Sequence, residues 1–284
     1  MEKKKSGGRV GAVAIKVAVL CLALFAYGCD MMEYTRYDID FDSKDKDQIE
    51  KNLKKLAETP GSEEAGAFSF AFMTDSQNFF DRLTEGVEHV NRRDDFEFVL
   101  VGGDICEYGL PSEYELGIDN FKDLKKPFLH TIGNHDALGV GVEAYREMYG
   151  AFDYTFIYKR VKFVSINTNS REFRKFMKVP DVDWLEQQLK KTDEHDYTIV
   201  VCHTGFYPDD DSFDQSLYPQ IDSLLSNTKD LVAVIHGHGH SSGTSYPLTN
   251  NMIPMIEVGP VCKRFYSVFH FDEGSLREEV INYD

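Results

Sequence analysis

Three scarcities bound this 284-residue chain. Cysteine is sparse, five in all, and Cys106, Cys202 and Cys262 are too far apart to read as a disulfide framework. Cys106 and Cys202 read instead as small buried apolar residues, with an odd thiol left free. Long apolar runs are missing too. The N-terminal run Val17–Tyr27 has 11 residues and Lys16 blocks its extension, whereas a membrane-spanning helix takes about 20. Positive charge is short: 31 Lys and Arg against 48 Asp and Glu leave a formal net charge of −17. Without a basic tract, binding to nucleic-acid backbone is disfavoured, and so is lying flat on anionic lipid. No internal repeat or low-complexity tract is present.

What is there begins with a leader-like segment. "MEKKKSGGRVGAVAIKVAVLCLALFAYGCD" runs from basic residues through the apolar stretch to small residues before Cys29, the layout of a secretory signal. Ala26, Gly28 and Cys29 resemble the lipobox of bacterial lipoproteins, with Tyr27 an unusual middle residue. The resemblance implies cleavage after residue 28, lipidation of Cys29, and a lipid-anchored protein on the extracytoplasmic side of a bacterial cell envelope. The competing reading is an ordinary leader with a chance cysteine. Residues 1–28 hold five basic side chains and one acid, so their removal takes the formal charge to −21 over 256 residues. Residues 29–45 are polar and acidic and read as a tether; the domain is expected over 46–284.

Within that domain, helical and extended patterns alternate. Ile49, Leu53 and Leu56 fall at helical spacing. "FSFAFMTD", "FEFVLVGGD" and "PFLHTIGNHD" read as strands separated by helices near 78–93 and 112–124, which predicts βαβ units. "YTFIYKR" and "VKFVSINTN" read as two strands joined by a tight turn at Lys159–Arg160. A helix follows with Pro180 near its start, then strand "YTIVVCH", a helix, strand "LVAVIHGHGH" and further strands to the C-terminus. The expected class is α/β with mixed sheets.

Five of these strands stop at a ligand-type side chain: Asp75, Asp104, Asn134 with His135, His203, and the run His236, His238, His240. In open α/β folds ligands gather beyond the carboxyl ends of strands. Five such endings on one edge would collect oxygen and nitrogen donors without thiolate, a set suited to borderline or hard divalent ions. Each is weak alone, since an Asp at a strand end is commonly a cap. Together, in order, they predict a metal pocket. Period two places the three histidines on one side of an extended chain, and spacing alone does not choose between them. His130 reads as a packing residue. Asn167, Asn169 and Tyr108 lie where they could line a cleft.

"TDSQ", "GDICEYG", "GNHD", "CH" and "GHGH" resemble the five blocks of the calcineurin-like metallophosphoesterases, over about Phe68 to His240. The resemblance implies a four-layer fold, two mixed β-sheets packed as a sandwich flanked by helices. It also implies two divalent metal ions (Mn, Fe, Zn or Mg) and hydrolysis of phosphomonoesters or phosphodiesters by a hydroxide held between them. Carried over, Asp104 bridges, Asp75 and His240 bind the first ion, and Asn134, His203 and His238 bind the second. His135 faces the leaving group and Asp136 orients it. His236 is left outside the ion shell, the histidine expected to tolerate substitution best. Gln77 stands where the family usually has histidine, leaving it either a carbonyl ligand or a holder of water. The purple acid phosphatase pattern fits less well, because Tyr108 is one residue beyond the place of an iron-binding tyrosine. The implied partner is a small phosphoester or an envelope substrate. The rival reading is a non-catalytic or single-metal surface protein that keeps the fold.

Overall fold

The computed structural model describes residues 16–19, 35–210 and 212–284. The chain divides into two units, Met1–Asp38 and Ile39–Asp284, and the fold below is that of the second. Cys29 and most of the expected leader lie outside the described residues. Among the described residues no helix is long and apolar enough to cross a membrane. The body begins earlier than the sequence suggested. Phe41, expected in the tether, is 3% exposed with its ring 6.4 Å from that of Tyr114, so 39–45 pack with the domain.

Among the described residues eleven strands form two mixed sheets, as expected. The first has the order β11–β10–β1–β2–β3, built from β1 (Phe68–Met73), β2 (Phe98–Val101), β3 (Phe128–His130), β10 (Phe265–Asp272) and β11 (Ser275–Asn282). Strands β1 to β3 are parallel, and the β10–β11 hairpin joins antiparallel to β1. The second sheet has the order β4–β5–β6–β7–β9–β8, built from β4 (Tyr154–Tyr158), β5 (Val161–Ser165), β6 (Tyr197–Val201), β7 (Leu231–His236), β8 (Gly243–Ser245) and β9 (Met255–Glu257). Its centre is parallel and both edges are antiparallel. The β4–β5 hairpin turns at Lys159 and Arg160, both with positive φ, the geometry a two-residue hairpin loop demands.

The period of two in a strand sorts its side chains between two cores. On β5 to β7, Phe163, Ile199, Val201, Ala233 and Ile235 point into the main core between the sheets. Their neighbours Val164, Val200 and Val234 point to the outer face, which is why these strands read as continuous apolar runs. Between the sheets, Phe70 stacks on Phe98 at 5.4 Å, and Phe163 of the facing sheet meets both edge-on at 5.4 and 5.6 Å. Burying each such ring contributes roughly 1.5–3 kcal/mol.

Helices cover the outer faces. The first sheet is backed by α2 (Phe80–Val90) and α3 (Pro111–Phe121). The helix before them, α1 (Gln48–Ala57), is tied to the start of β3 through Asn52, whose Oδ1 accepts from Phe128 N at 3.3 Å. The segment α4 (Gly141–Met148) and the short turn α5 (Ser170–Phe173) were not foreseen. The second sheet is backed by α6 (Val182–Gln188) and α7 (Tyr218–Asn227) through Leu185, Ile221 and Leu225. Asp181 caps α6 by accepting from Trp184 N at 3.0 Å, which satisfies one free N–H of its first turn.

Candidate metal centre

The carboxyl ends of β1, β2 and β3 in one sheet, and of β6 and β7 in the other, open on the same pocket. Asp75 follows β1 by two residues and is fully buried. Its Oδ2 accepts from Thr74 Oγ1 at 2.6 Å and from His238 N at 3.1 Å. Its Oδ1 is buried without a hydrogen-bond partner and lies 3.4 Å from His240 Nε2. Asp104, beyond β2, is 1% exposed; Oδ1 accepts from His135 N at 2.8 Å and Oδ2 lies 3.2 Å from His203 Nε2. Asn134 Oδ1 is the meeting point of two imidazoles, His203 Nε2 at 3.0 Å and His238 Nδ1 at 2.9 Å. Donor atoms of Asp104, His203 and His238 all lie within 4.8 Å of one another.

Backbone conformation makes this convergence possible. Asp75, Gln77, Asp104, His238 and His240 all have positive φ, a region non-glycine residues visit only at a cost. Two glycines permit close approach: a Cβ on Gly133 would strike the Asp104 carboxylate, and one on Gly237 would strike Thr74 and Asp75.

Burial opposes a charge on His203, yet the Asp104 carboxylate outweighs it and raises the imidazole to about 10. His240 is likewise raised to about 10, chiefly by its bond to Asp75. Asp75 is held below the usual carboxylate value: burial alone would raise it, and His240 and His203 together overcome that. These are the mutual effects expected of a site rich in charge and short of counter-ions.

The residues present fit divalent ions. Two carboxylates, an amide oxygen and three imidazoles converge without thiolate at the centre. The buried Asp75 Oδ1, with only the His240 imidazole at 3.4 Å facing it, has acceptor capacity left for an ion.

Two expectations change. Asp136 does not orient His135. It lies fully buried and accepts four backbone N–H bonds, from Gly133 at 2.9, Asp104 at 2.8, Ile105 at 2.9 and Cys106 at 2.9 Å. It therefore clasps the loops after β2 and β3 together. Burial, then the charge of Asp104, pushes its carboxyl up to about 6, and the N–H donors hold it from rising further. His135 is oriented instead by a residue that sequence reasoning missed: its Nδ1 lies 2.9 Å from the Glu107 carbonyl. A backbone acceptor leaves no mark in a sequence, so no signal was available.

The second change concerns the histidine run. Strand β7 ends at His236, and positive φ at His238 and His240 breaks the period of two. His236 is 2% exposed and turns away to Tyr207, its Nε2 3.0 Å from the phenol oxygen. Tyr207 in turn reaches Ser245 Oγ at 3.0 Å. His236 ends the strand outside the ion cluster, as expected, but a buried, bonded imidazole is not a position tolerant of substitution. Cys106, Cys202 and Cys262 are all buried and free, and Cys262 Sγ lies 3.9 Å from His240 Nδ1.

Gln77 is half-buried and its backbone N–H donates to Asp104 O at 2.8 Å. Tyr108 is 58% exposed and points no oxygen at the cluster. His130 packs in β3, stacked on Tyr149 at 4.1 Å. Asn169 bonds Ile132 O at 2.9 Å and Asn167 Oδ1 at 2.9 Å, so both brace the loop wall.

The family model for calcineurin-like phosphoesterase matches residues 68–242. The chain therefore belongs to the calcineurin-like phosphoesterase family, whose members are metal-dependent phosphoester hydrolases. Solved structures agree in fold. A dimetal phosphatase of Danio rerio is 14% identical, covering 76% of this chain and 99% of its own, with a TM-score of 0.56. GAP50, the anchor in the inner membrane complex of Plasmodium, is 14% identical over 77% of this chain and 85% of its own, TM-score 0.57. The purple acid phosphatase PPD1 of yellow lupin is 14% identical over 79% of this chain and 53% of its own, TM-score 0.59. No protein of curated function matches.

Proposed function

We propose that this chain is a lipid-anchored, extracytoplasmic phosphoesterase of a bacterial cell envelope, acting on phosphomonoesters or phosphodiesters at a two-ion site. The observation that carries the reading is the meeting of His203 and His238 on Asn134 Oδ1, beside the Asp104 carboxylate. In this reading Asn134, His203 and His238 hold one ion, Asp75 and His240 the other with Gln77 beside them, and Asp104 serves both. Mn, Fe, Zn and Mg all suit such donors. Lipidation at Cys29 supplies the anchor and rests on the sequence alone.

Bound divalent ions supply Lewis acidity at the phosphoryl oxygens and make water acidic enough to serve as nucleophile near neutral pH. The chain's own residues do the rest. Asp136 fixes the two loops that carry Asp104, Asn134 and His135. The Glu107 carbonyl accepts from His135 Nδ1–H, so the partly exposed ring presents Nε2 to the mouth of the site. There it holds a proton for the departing ester oxygen. His135→Ala should lower turnover by about 10²–10⁴-fold for an alkyl phosphoester, with a smaller loss for a nitrophenyl ester that leaves unaided. Equal loss on both esters removes the acid role.

A second reading, a single-metal or non-catalytic protein retaining the fold, is favoured by Gln77, a neutral amide in the family's histidine position. Gln77→His should tighten binding of Zn²⁺ at the Asp75–His240 side in a calorimetric titration. Unchanged binding excludes position 77 from the ion shell. Metal-restored turnover of 4-nitrophenyl phosphate and its bis ester separates the two readings, since only the enzyme turns either over.

A further inference from the structure

The strongly acidic composition conceals one exposed basic segment. Arg174, Lys175, Phe176, Met177 and Lys178 are five consecutive exposed residues. Phe176 is 52% and Met177 41% exposed. Isolated apolar residues on a surface are ordinary, but here two adjacent ones are bracketed by three cations. Among the described residues Arg174, Lys175 and Lys178 form no ion pair. The tip is held on a narrow neck. Phe173 is buried below it and Val179 is 6% exposed, and Ser170 Oγ donates to Val179 O at 2.6 Å. Phe176 N and Met177 N both donate to Phe173 O, at 2.7 and 3.1 Å. On one side the tip borders a hollow of about 260 Å³ lined also by Glu143 and Arg146, and on the other a hollow of about 300 Å³ lined also by Asp181 and Asp183.

The base of this segment adjoins the metal cluster. At its base Arg171 N donates to Ser212 O at 3.4 Å, and Ser212 Oγ is 3.4 Å from His238 Nε2. One residue before α5, Asn169 is tied to Ile132, two positions ahead of Asn134.

We propose that residues 174–178 dock the domain on an anionic bilayer. Phe176 and Met177 enter the boundary between headgroups and acyl chains, and Arg174, Lys175 and Lys178 pair with lipid phosphates, which brings the mouth of the site to the lipid surface. The net negative charge does not forbid this. Charges beyond about 8–10 Å are screened at physiological salt, so the sign felt at the contact is set locally, where Glu143, Asp181 and Asp183 in the flanking hollows are set against Arg146 and the three cations of the tip. Each contributes about a fivefold gain in association with an anionic surface, and the two apolar side chains add burial. Neither the phosphoesterase activity nor lipidation at Cys29 is needed for the contact.

The test uses the full chain in vesicles and reads the loop itself, so an N-terminal anchor does not mask the result. Trp184 is the single tryptophan; with Trp184→Phe as background, Met177→Trp reports the tip. Met252→Trp is the reference, at a position 75% exposed. In vesicles of phosphatidylcholine and phosphatidylglycerol with brominated acyl chains, emission from position 177 should shift to the blue and fall at least twofold. The reference should do neither. Arg174→Glu, Lys175→Glu and Lys178→Glu together, or 0.5 M salt on the chain with these cations intact, should remove the quenching. Equal emission from both positions, or quenching at 177 that ignores phosphatidylglycerol and salt, overturns the proposal.

Discussion

Left-handed backbone at Asp75, Gln77, Asp104, His238 and His240 concentrates strain at the candidate site. Each such position costs on the order of 1–3 kcal/mol and persists only where the surroundings over-determine it. Asp136 is a large part of those surroundings, one carboxylate receiving four backbone N–H groups. Asp136→Ala should lower stability by more than about 3 kcal/mol, because hydrogen bonds to a charged, buried acceptor are lost and four donors are orphaned. A urea titration reads this as a lower midpoint, and metal analysis should show depleted occupancy. A midpoint within experimental scatter of the parent would mean the loops hold themselves. The sequence announced the ligand types at this scale, since each stands at the end of an apolar run. It could not announce direction: Asp136 is next to His135 in the chain and faces the other way. Glu107 and Cys262 stayed hidden because a backbone carbonyl and a cross-fold neighbour become visible only on folding.

At the scale of elements, the strands that feed the site were legible from their apolar runs, and the Lys159–Arg160 turn from its spacing. The end of β7 was not, because three histidines at period two look extended until positive φ at His238 and His240 turns the chain. Strand β3 carries an uncommon burden for its length. His130 is 1% exposed, neither ring nitrogen has a protein hydrogen-bond partner, and burial, then the nearby His203, push it down to about 3. The unfolded chain takes up this proton near 6.5, whereas the folded chain refuses it until about 3. Folded stability therefore falls as pH drops through that window, by up to about 1.4 kcal/mol per pH unit. His130→Phe keeps a ring against Tyr149 and removes the titration. The gap in stability between variant and parent should widen steadily from pH 6.5 toward 4, measured by denaturant unfolding at each pH. A gap independent of pH would mean His130 is already protonated in the fold.

At the scale of the whole molecule, alternation was enough for an α/β class with mixed sheets and ligands at the strand ends, while the two-sheet sandwich flanked by helices came from the family resemblance. What composition could not deliver was the start of the body at Ile39, since Phe41 is one aromatic in an acidic stretch and only its place against Tyr114 reveals its burial. Nor could net charge, a sum over the chain, disclose that Arg174, Lys175 and Lys178 share one exposed tip. The family match and the pocket at the strand ends both lead to one claim, that hydrolysis here depends on divalent ions held at Asp104. The most direct measurement is turnover of bis(4-nitrophenyl) phosphate by metal-stripped protein, before and after restoring Mn²⁺, Zn²⁺, Fe²⁺ or Mg²⁺, with Asp104→Asn in parallel. The account predicts no turnover when stripped, recovery with at least one ion, and none from Asp104→Asn under any of them. Turnover that survives stripping, or an Asp104→Asn protein as active as the parent, would contradict it.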